Sequence, residues 1–133
     1  MSLVAIVTRT KNRPLLLRRA LDSVKSQSFK DFTWVIVNDA GSIEDVNKIA
    51  DLSKGYGVNT VLINRDVSIG MEAASNHGIS CSSSKYIVIH DDDDTWAPDF
   101  LTQTVIYLEK NKGHEAVVTH SIRVNEVIES DQV

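Results

Sequence analysis

The chain has 133 residues, enough for one domain with one core. Its 42% hydrophobic and 24% charged content is ordinary for a soluble globular protein, and its net charge of −4 argues against a dedicated nucleic-acid binder. A single cysteine, Cys81, excludes a disulfide framework and a Cys-based zinc site.

Leu3-Val4-Ala5-Ile6-Val7 is a short apolar run rich in β-branched residues and reads as a buried strand. Asn12 is placed to cap the next element, Pro14 falls in its first turn, and Leu17, Ala20, Leu21 and Val24 recur at helical spacing. Trp34-Val35-Ile36-Val37 predicts a second buried strand, ending at Asn38-Asp39-Ala40-Gly41-Ser42. An amphipathic helix with Val46, Ile49 and Ala50 inward follows, broken by Gly55 and Gly57. Val58 to Ile63 predicts a third strand, and Gly70 to Ile79 a helix of small residues whose end Gly78 weakens. Tyr86-Ile87-Val88-Ile89 predicts a fourth strand, which runs into Asp91-Asp92-Asp93-Asp94. Pro98 and Asp99 then open a helix with Leu101, Val105 and Leu108 on one face, stopped at Lys110-Asn111-Lys112-Gly113. Ala116-Val117-Val118-Thr119 predicts a fifth strand. Ile122, Val124 and Glu126 alternate as in a half-exposed strand, and Glu129 to Val133 is a polar tail.

Continuous apolar strands alternating with helices imply a parallel sheet covered on both faces, an α/β fold in one domain over residues 1–133. No apolar stretch approaches the roughly 20 residues of a membrane span and no signal peptide precedes the fold, so the expected location is cytoplasmic, with peripheral membrane attachment left open.

The four aspartates have no packing purpose. At an effective dielectric of about 20, neighbouring carboxylates about 5 Å apart repel by roughly 3 kcal/mol, so a hard divalent cation with oxygen ligands is expected to offset them. From Met1 to Lys30 the charges are nearly all basic, with Asp22 the single acid, so a basic and an acidic segment together could hold a metal–phosphate ligand. Arg18, Arg19 and Lys25 read rather as a solvated helix face. In open parallel sheets ligands bind beyond the carboxyl ends of the strands. Four polar clusters are expected there: Thr8 to Arg13, Asn38 to Ser42, Asn64-Arg65-Asp66, and His90 with the aspartates.

The loop after the first strand has no glycine, which excludes a Gly-x-Gly-x-x-Gly dinucleotide site, and a P-loop is absent too. Phosphates must then be held by a metal and by cationic side chains. Asp39 can accept from a base N–H or cap the helix after it, and Gly41 and Ser42 can belong to an ordinary turn. Glu72 and Asn76, four apart on one helix face, can reach a ribose or phosphate or be merely solvated. His90 can contact a ligand or be buried, while His77, His114 and His120 carry no ligand spacing.

These segments, taken together, resemble the family 2 glycosyltransferases of the GT-A fold over nearly the whole chain. Ile6-Val7-Thr8-Arg9-Thr10-Lys11-Asn12-Arg13-Pro14 is similar to that family's first strand and loop. Leu17 to Val24 with Gln27-Ser28-Phe29 is similar to its first helix, and Val37 to Ser42 loosely to its Val-Asp-Asp-Gly-Ser region. Gly70 to Ile79 and Asp91 to Pro98 resemble its Gly-x-x-x-Ala-x-Asn-x-Gly-Ile helix and its Asp-x-Asp-Asp-x-Trp-x-Pro signature.

The resemblance implies a Rossmann-like, three-layer α/β/α GT-A fold with a mostly parallel sheet. It also implies sugar transfer from a nucleotide-diphosphate sugar, usually a UDP-sugar, to the hydroxyl of a saccharide or other acceptor, with inversion and with Mg²⁺ or Mn²⁺. Thr8, Arg9, Thr10, Lys11, Arg13, Asp39, Asn76, Asp91 and Asp92 would bind the nucleotide, with Asp39 on the base and Asp91 near the ribose. Asp93, with Asp91, would ligate the metal; a slip of one residue would promote Asp92 and Asp94 instead. The chain departs from the family at Lys11 (often aromatic), Asn38 (usually Asp) and Ser75 (frequently Arg).

The chain ends roughly 40 residues after Asp94, well short of a catalytic domain of about 200 residues. The expectation is therefore a truncated domain that lacks the acceptor half and its general base. Three alternatives stand beside it: a non-catalytic nucleotide-binding fragment; a nucleotidyltransferase, which would normally carry a glycine-rich, lysine-bearing first loop; and a receiver domain, which would place acids after strand one.

Overall fold

Four strands alternate with four helices along residues 2–127, the part of the chain that the computed structural model describes. They are β1 (Val4–Thr10), α1 (Pro14–Lys25), β2 (Phe32–Asp39), α2 (Ile43–Gly55), β3 (Thr60–Arg65), α3 (Met71–Ser80), β4 (Tyr86–Ile89) and α4 (Phe100–Lys110). All the strand pairs are parallel, in the order β3-β2-β1-β4. The chain steps one way from β1 to β3 and then crosses back to the other side of β1. That reversal leaves a crevice between the carboxyl ends of β1 and β4, where open α/β sheets bind ligands.

The central strands β1 and β2 are apolar on both sides because both sides are covered, whereas on the edge strands β3 and β4 Val61, Ile87 and Ile89 remain 42%, 42% and 38% exposed. Val4 and Ile6 of β1 and Trp34 and Ile36 of β2 pack with Leu17, Leu21, Val46, Leu101 and Val105, from α1, α2 and α4. The intervening Val7, Val35 and Val37 pack on the other face with Ala74 and Ile79 of α3. This is the three-layer α/β/α arrangement. Fully burying side chains of this size contributes about 1.5–3 kcal/mol each. Trp34 is completely buried, and its indole N–H is satisfied by Thr8 Oγ1 at 2.9 Å.

Gly78 lies under the α3 layer, and its role differs from the expected weakening of a helix end. A Cβ there would meet Val7 Cγ1 at 2.5 Å and Val37 Cγ2 at 2.9 Å. The glycine lets the helix lie directly on β1 and β2.

Several boundaries shift. β1 continues to Thr10 and β2 to Asp39, because Thr8, Arg9 and Thr10 pair with Ile36, Val37 and Asn38. Arg9, Thr10 and Asp39 therefore project from rigid strands. Asn12 does not cap α1. It has φ 53°, its Oδ1 accepts from the Ser42 N–H at 2.8 Å, and Arg13 holds the N-cap position without a side-chain bond. The fifth strand and the half-exposed strand after it are not formed, and residues 114–127 carry no regular secondary structure. Val118, Ile122 and Val124 are 94%, 91% and 70% exposed. β-branched residues favour strands only where a pleated, half-buried surface receives them, and no strand among the described residues pairs with this segment. The expected tail, Glu129 to Val133, lies outside the described residues. Among those described, no helix is long and apolar enough to cross a membrane.

Candidate functional site

The crevice at the switch between β1 and β4 is a cavity of about 270 Å³, near the lower end of ligand-site volumes, roughly 300 Å³. It is lined by Arg9, Thr10, Lys11 and Arg13 from the end of β1, Asp39 from β2, Met71 and Ala74 from α3, and Asp91, Asp92 and Asp93 after β4. Eight of the expected residues thus meet around one space. Thr8 and Asn76 do not line it: the Thr8 side chain is buried on Trp34, and Asn76 sits on the exposed side of α3.

The aspartates are unequal. Asp92 is 3% exposed, and both its oxygens are engaged, Oδ2 by the Thr10 hydroxyl at 2.7 Å and Oδ1 by Arg13 Nη1 at 2.8 Å. It fastens the aspartate segment to β1 and to the start of α1. Burial pushes its carboxyl up, opposed by the Thr10 bond and Arg13 and reinforced by Asp93 and Asp91. Burial likewise raises Asp94, with Asp91 and Asp93 adding to it. Asp91 and Asp93 are 39% and 51% exposed and both line the cavity, whereas Asp94 does not.

Two arginines supply the countercharge. Arg13 Nη2 donates to Asp93 Oδ2 at 3.0 Å while Nη1 holds Asp92. Arg9 Nη2 lies 3.0 Å from Asp91 Oδ1, an ion pair without a well-directed hydrogen bond at that oxygen. Arg9 Nη1 donates to Ser75 Oγ at 2.9 Å. The cation that the resemblance places on α3, where this chain has Ser75, is therefore brought from β1 and braced against Ser75. Of the three cations of α1 that read as a solvated face, Lys25 pairs with Asp22 on the same helix and Arg19 with the distant Glu126.

Among the described residues, no three His, Cys, Asp or Glu side chains converge as a ready-made metal cage. The available donors are two hard carboxylates, Asp91 and Asp93, facing a cavity also lined by cations. A Mg²⁺-type ion is commonly held by one or two carboxylates together with substrate phosphates. The donor set fits a metal shared with a phosphate ligand.

His90 is on the other side of this segment. It is fully buried and packs against Trp96 with ring centroids 4.2 Å apart and planes tilted by 47°, while Trp96 stacks on Phe100 at 4.4 Å. Its Nε2 lies 3.1 Å from the Asp94 carbonyl oxygen, and Nδ1 is enclosed without a hydrogen-bond partner. A carbonyl only accepts, so Nε2 carries the proton. Burial lowers its pKa to about 4. Of the two readings open for His90, the structural one describes it.

Two buried polar residues of the α1 end hold the segment after the aspartates. Ser23 Oγ accepts from the Trp96 N–H at 2.8 Å. Gln27 donates to the Ala97 carbonyl at 2.9 Å and accepts from the Leu101 N–H at 3.1 Å. Of the open readings for Asp39 and Ser42, the cap of α2 belongs to Ser42, which accepts from the Asp45 N–H. Gly41 packs so closely that a Cβ would lie 2.8 Å from Asn12 N. Asp39 is instead held by Arg65, at 2.9 Å, and by the Ser68 hydroxyl, at 2.6 Å. These two partners had no assigned role in the sequence; the signal for Arg65 was its place at the end of the third strand.

The sequence profile of the family described as Glycosyl transferase family 2 matches residues 5–130. An uncharacterized glycosyltransferase of Methanocaldococcus jannaschii is 29% identical over 111 residues, 83% of this chain and 38% of the relative. Among solved structures, S. aureus TarS 1-349 in complex with UDP superposes with a TM-score of 0.75 at 17% identity, covering 84% of this chain and 33% of that one. A mannosyltransferase of Pyrobaculum calidifontis in complex with GDP-Man and Mn²⁺ superposes with a TM-score of 0.72 at 23% identity, covering 80% and 32%. These likenesses show the GT-A fold. The chain spans well under half the length of each of these proteins.

Proposed function

The chain belongs to glycosyl transferase family 2, and on that premise we propose that it forms the donor half of an enzyme that transfers a sugar from a nucleoside-diphosphate sugar, a UDP-sugar, to an acceptor hydroxyl with inversion. One observation carries this reading. A single cavity joins Asp39, the cations at the end of β1, and the exposed carboxylates Asp91 and Asp93. Base, diphosphate and metal chemistry each have a chemically matched partner there.

In this reading Asp39 accepts a ring N–H of the base. Asp91 lies toward the ribose. Arg9, Lys11 and Arg13 offer cations to the diphosphate, with Thr10 and Asp92 holding Arg13 and the aspartate segment in place. Asp93, with Asp91, would hold Mg²⁺ or Mn²⁺, whose positive charge makes the departing nucleoside diphosphate a better leaving group. The acceptor, a saccharide or another hydroxyl compound, and the base that takes its proton are assigned to no residue of this chain. We place the reaction in the cytoplasm or at the periphery of a membrane.

Titration calorimetry with UDP and Mn²⁺ tests the proposal. The chain should bind UDP with the metal, lose most of that affinity on chelation, and weaken by about tenfold or more in Asp93→Asn. Wild-type protein that binds no nucleotide in the presence of metal would sink the donor-site reading.

A further inference from the structure

The base end of the cavity contains an asymmetry that bears on which nucleotide it takes. Asp39 and Arg65 stand directly opposite each other on the parallel strands β2 and β3. Both side chains are 10% exposed, and Arg65 Nη1 lies 2.9 Å from Asp39 Oδ1. The N–H does not point along that contact, so both atoms are enclosed without a directed hydrogen bond. The other oxygen, Oδ2, accepts from the Ser68 hydroxyl at 2.6 Å and keeps a second lone pair, the acceptor position that Asp39 can still offer a ligand. Of the two ion-pair members, Asp39 lines the cavity and Arg65 does not.

We infer that Arg65 withholds Oδ1 from the ligand and so makes Asp39 a one-oxygen acceptor, which selects uracil over guanine. Uracil presents one ring N–H, at N3, between two carbonyls, and a single carboxylate oxygen satisfies it. Guanine presents two parallel donors, N1–H and the N2 amino group, which a carboxylate meets by using both oxygens. With Oδ1 held by a buried guanidinium, guanine must leave a donor unpaired or break the ion pair, and unpaired buried polar groups are what make a polar site selective. The solved structures with this fold include one with UDP and one with GDP-Man, so the fold alone does not decide between the bases. Arg65 is a positioning residue here, acting through Asp39, and the inference rests on the proposal that Asp39 receives the base.

The test is calorimetric titration of the chain with UDP and with GDP, each with Mn²⁺. Wild type, Arg65→Met, Arg65→Gln, Arg65→Lys and Asp39→Asn are compared, with folding checked by circular dichroism. Wild type should prefer UDP by about tenfold or more, and Arg65→Met or Arg65→Gln should narrow the UDP-to-GDP ratio severalfold. Lysine, which keeps a cation on Oδ1, should restore most of the ratio. Should methionine not fold, glutamine carries the comparison. An unchanged ratio in a folded Arg65→Met or Arg65→Gln variant overturns the role of Arg65 while leaving Asp39 as base reader, provided Asp39→Asn loses UDP. If Asp39→Asn binds UDP as wild type does, the base reading itself fails and this inference with it. A wild-type chain that binds GDP as tightly as UDP overturns the inference directly and leaves the donor site standing.

Discussion

Arg13 bridges to the buried Asp92, with Nη1 2.8 Å from Oδ1, while its Nη2 reaches the neighbouring, exposed Asp93 at 3.0 Å. The repulsion within the aspartate run is met by guanidinium groups from the opposite side of the cavity, so the run is anchored without a ligand. Arg13→Gln removes the charged partner of an enclosed carboxylate. Arg13 is itself 46% exposed, which screens the interaction, so the expected loss is about 1–2 kcal/mol. Urea unfolding measures it, and an unchanged midpoint would show that Thr10 alone suffices for Asp92.

Gly78→Ala is expected to destabilise the protein by about 1–3 kcal/mol through overpacking. The added methyl meets Val7 and Val37 inside van der Waals contact, on strands that cannot retreat from both layers. Thermal unfolding should show the loss, and the variant Gly78→Ala/Val7→Ala should recover part of it. A Gly78→Ala melting temperature equal to wild type would contradict the close approach of α3.

Asn38→Asp, which restores the residue usual in the resembling family, is expected to harm this chain. The Asn38 amide nitrogen donates to the Gly41 carbonyl at 3.0 Å and to Asn64 Oδ1 at 3.0 Å. A carboxylate there turns two donor contacts into acceptor–acceptor pairs, at about 1–3 kcal/mol for each unsatisfied group. The double variant Asn38→Asp/Asn64→Ser should be better tolerated than Asn38→Asp alone. Chemical denaturation of the two variants decides it, and a fully stable single variant would refute the amide assignment.

His90 gives the acid response a sign. Its pKa is lowered from 6.5 to about 4 by burial, so the unfolded chain binds a proton that the folded one refuses between those values. Its stabilising contribution is complete above pH 6.5 and is lost as the pH falls toward 4, by about 3 kcal/mol. Asp92 and Asp94, raised by burial, act in the opposite sense. Comparing the stability of wild type and His90→Phe from pH 7 to pH 4 isolates the histidine, because phenylalanine keeps an aromatic ring against Trp96. The wild type should lose stability more steeply; parallel curves would show that His90 does not remain neutral.

The strands, their parallel pairing and the convergence of polar clusters at their carboxyl ends were legible because apolar runs of four to six residues are dictated locally. Asn12 and the segment after α4 behave differently from their local signals, because each depends on a distant partner. Asn12 has the side chain of a cap but spends it on Ser42 across the loop. Ala116 to Thr119 has the composition of a strand and, among the described strands, no neighbour. Gly78 was legible as a glycine and opaque as a contact, since the valines it faces are some 40 and 70 residues away.

Short segments suffice to specify an α/β chain of glycosyl transferase family 2 with a carboxylate-rich site at the end of its fourth strand, because periodicity, motif order and charge are local properties. Which carboxylates are committed and which remain available is settled only in the folded chain. Thr10 and Arg13 enclose Asp92; Arg9, braced on Ser75, pairs with Asp91; and Arg65 occupies one face of Asp39. Each of those assignments depends on burial and on the register of strands that are distant in the chain, and neither quantity is written in any local run of residues.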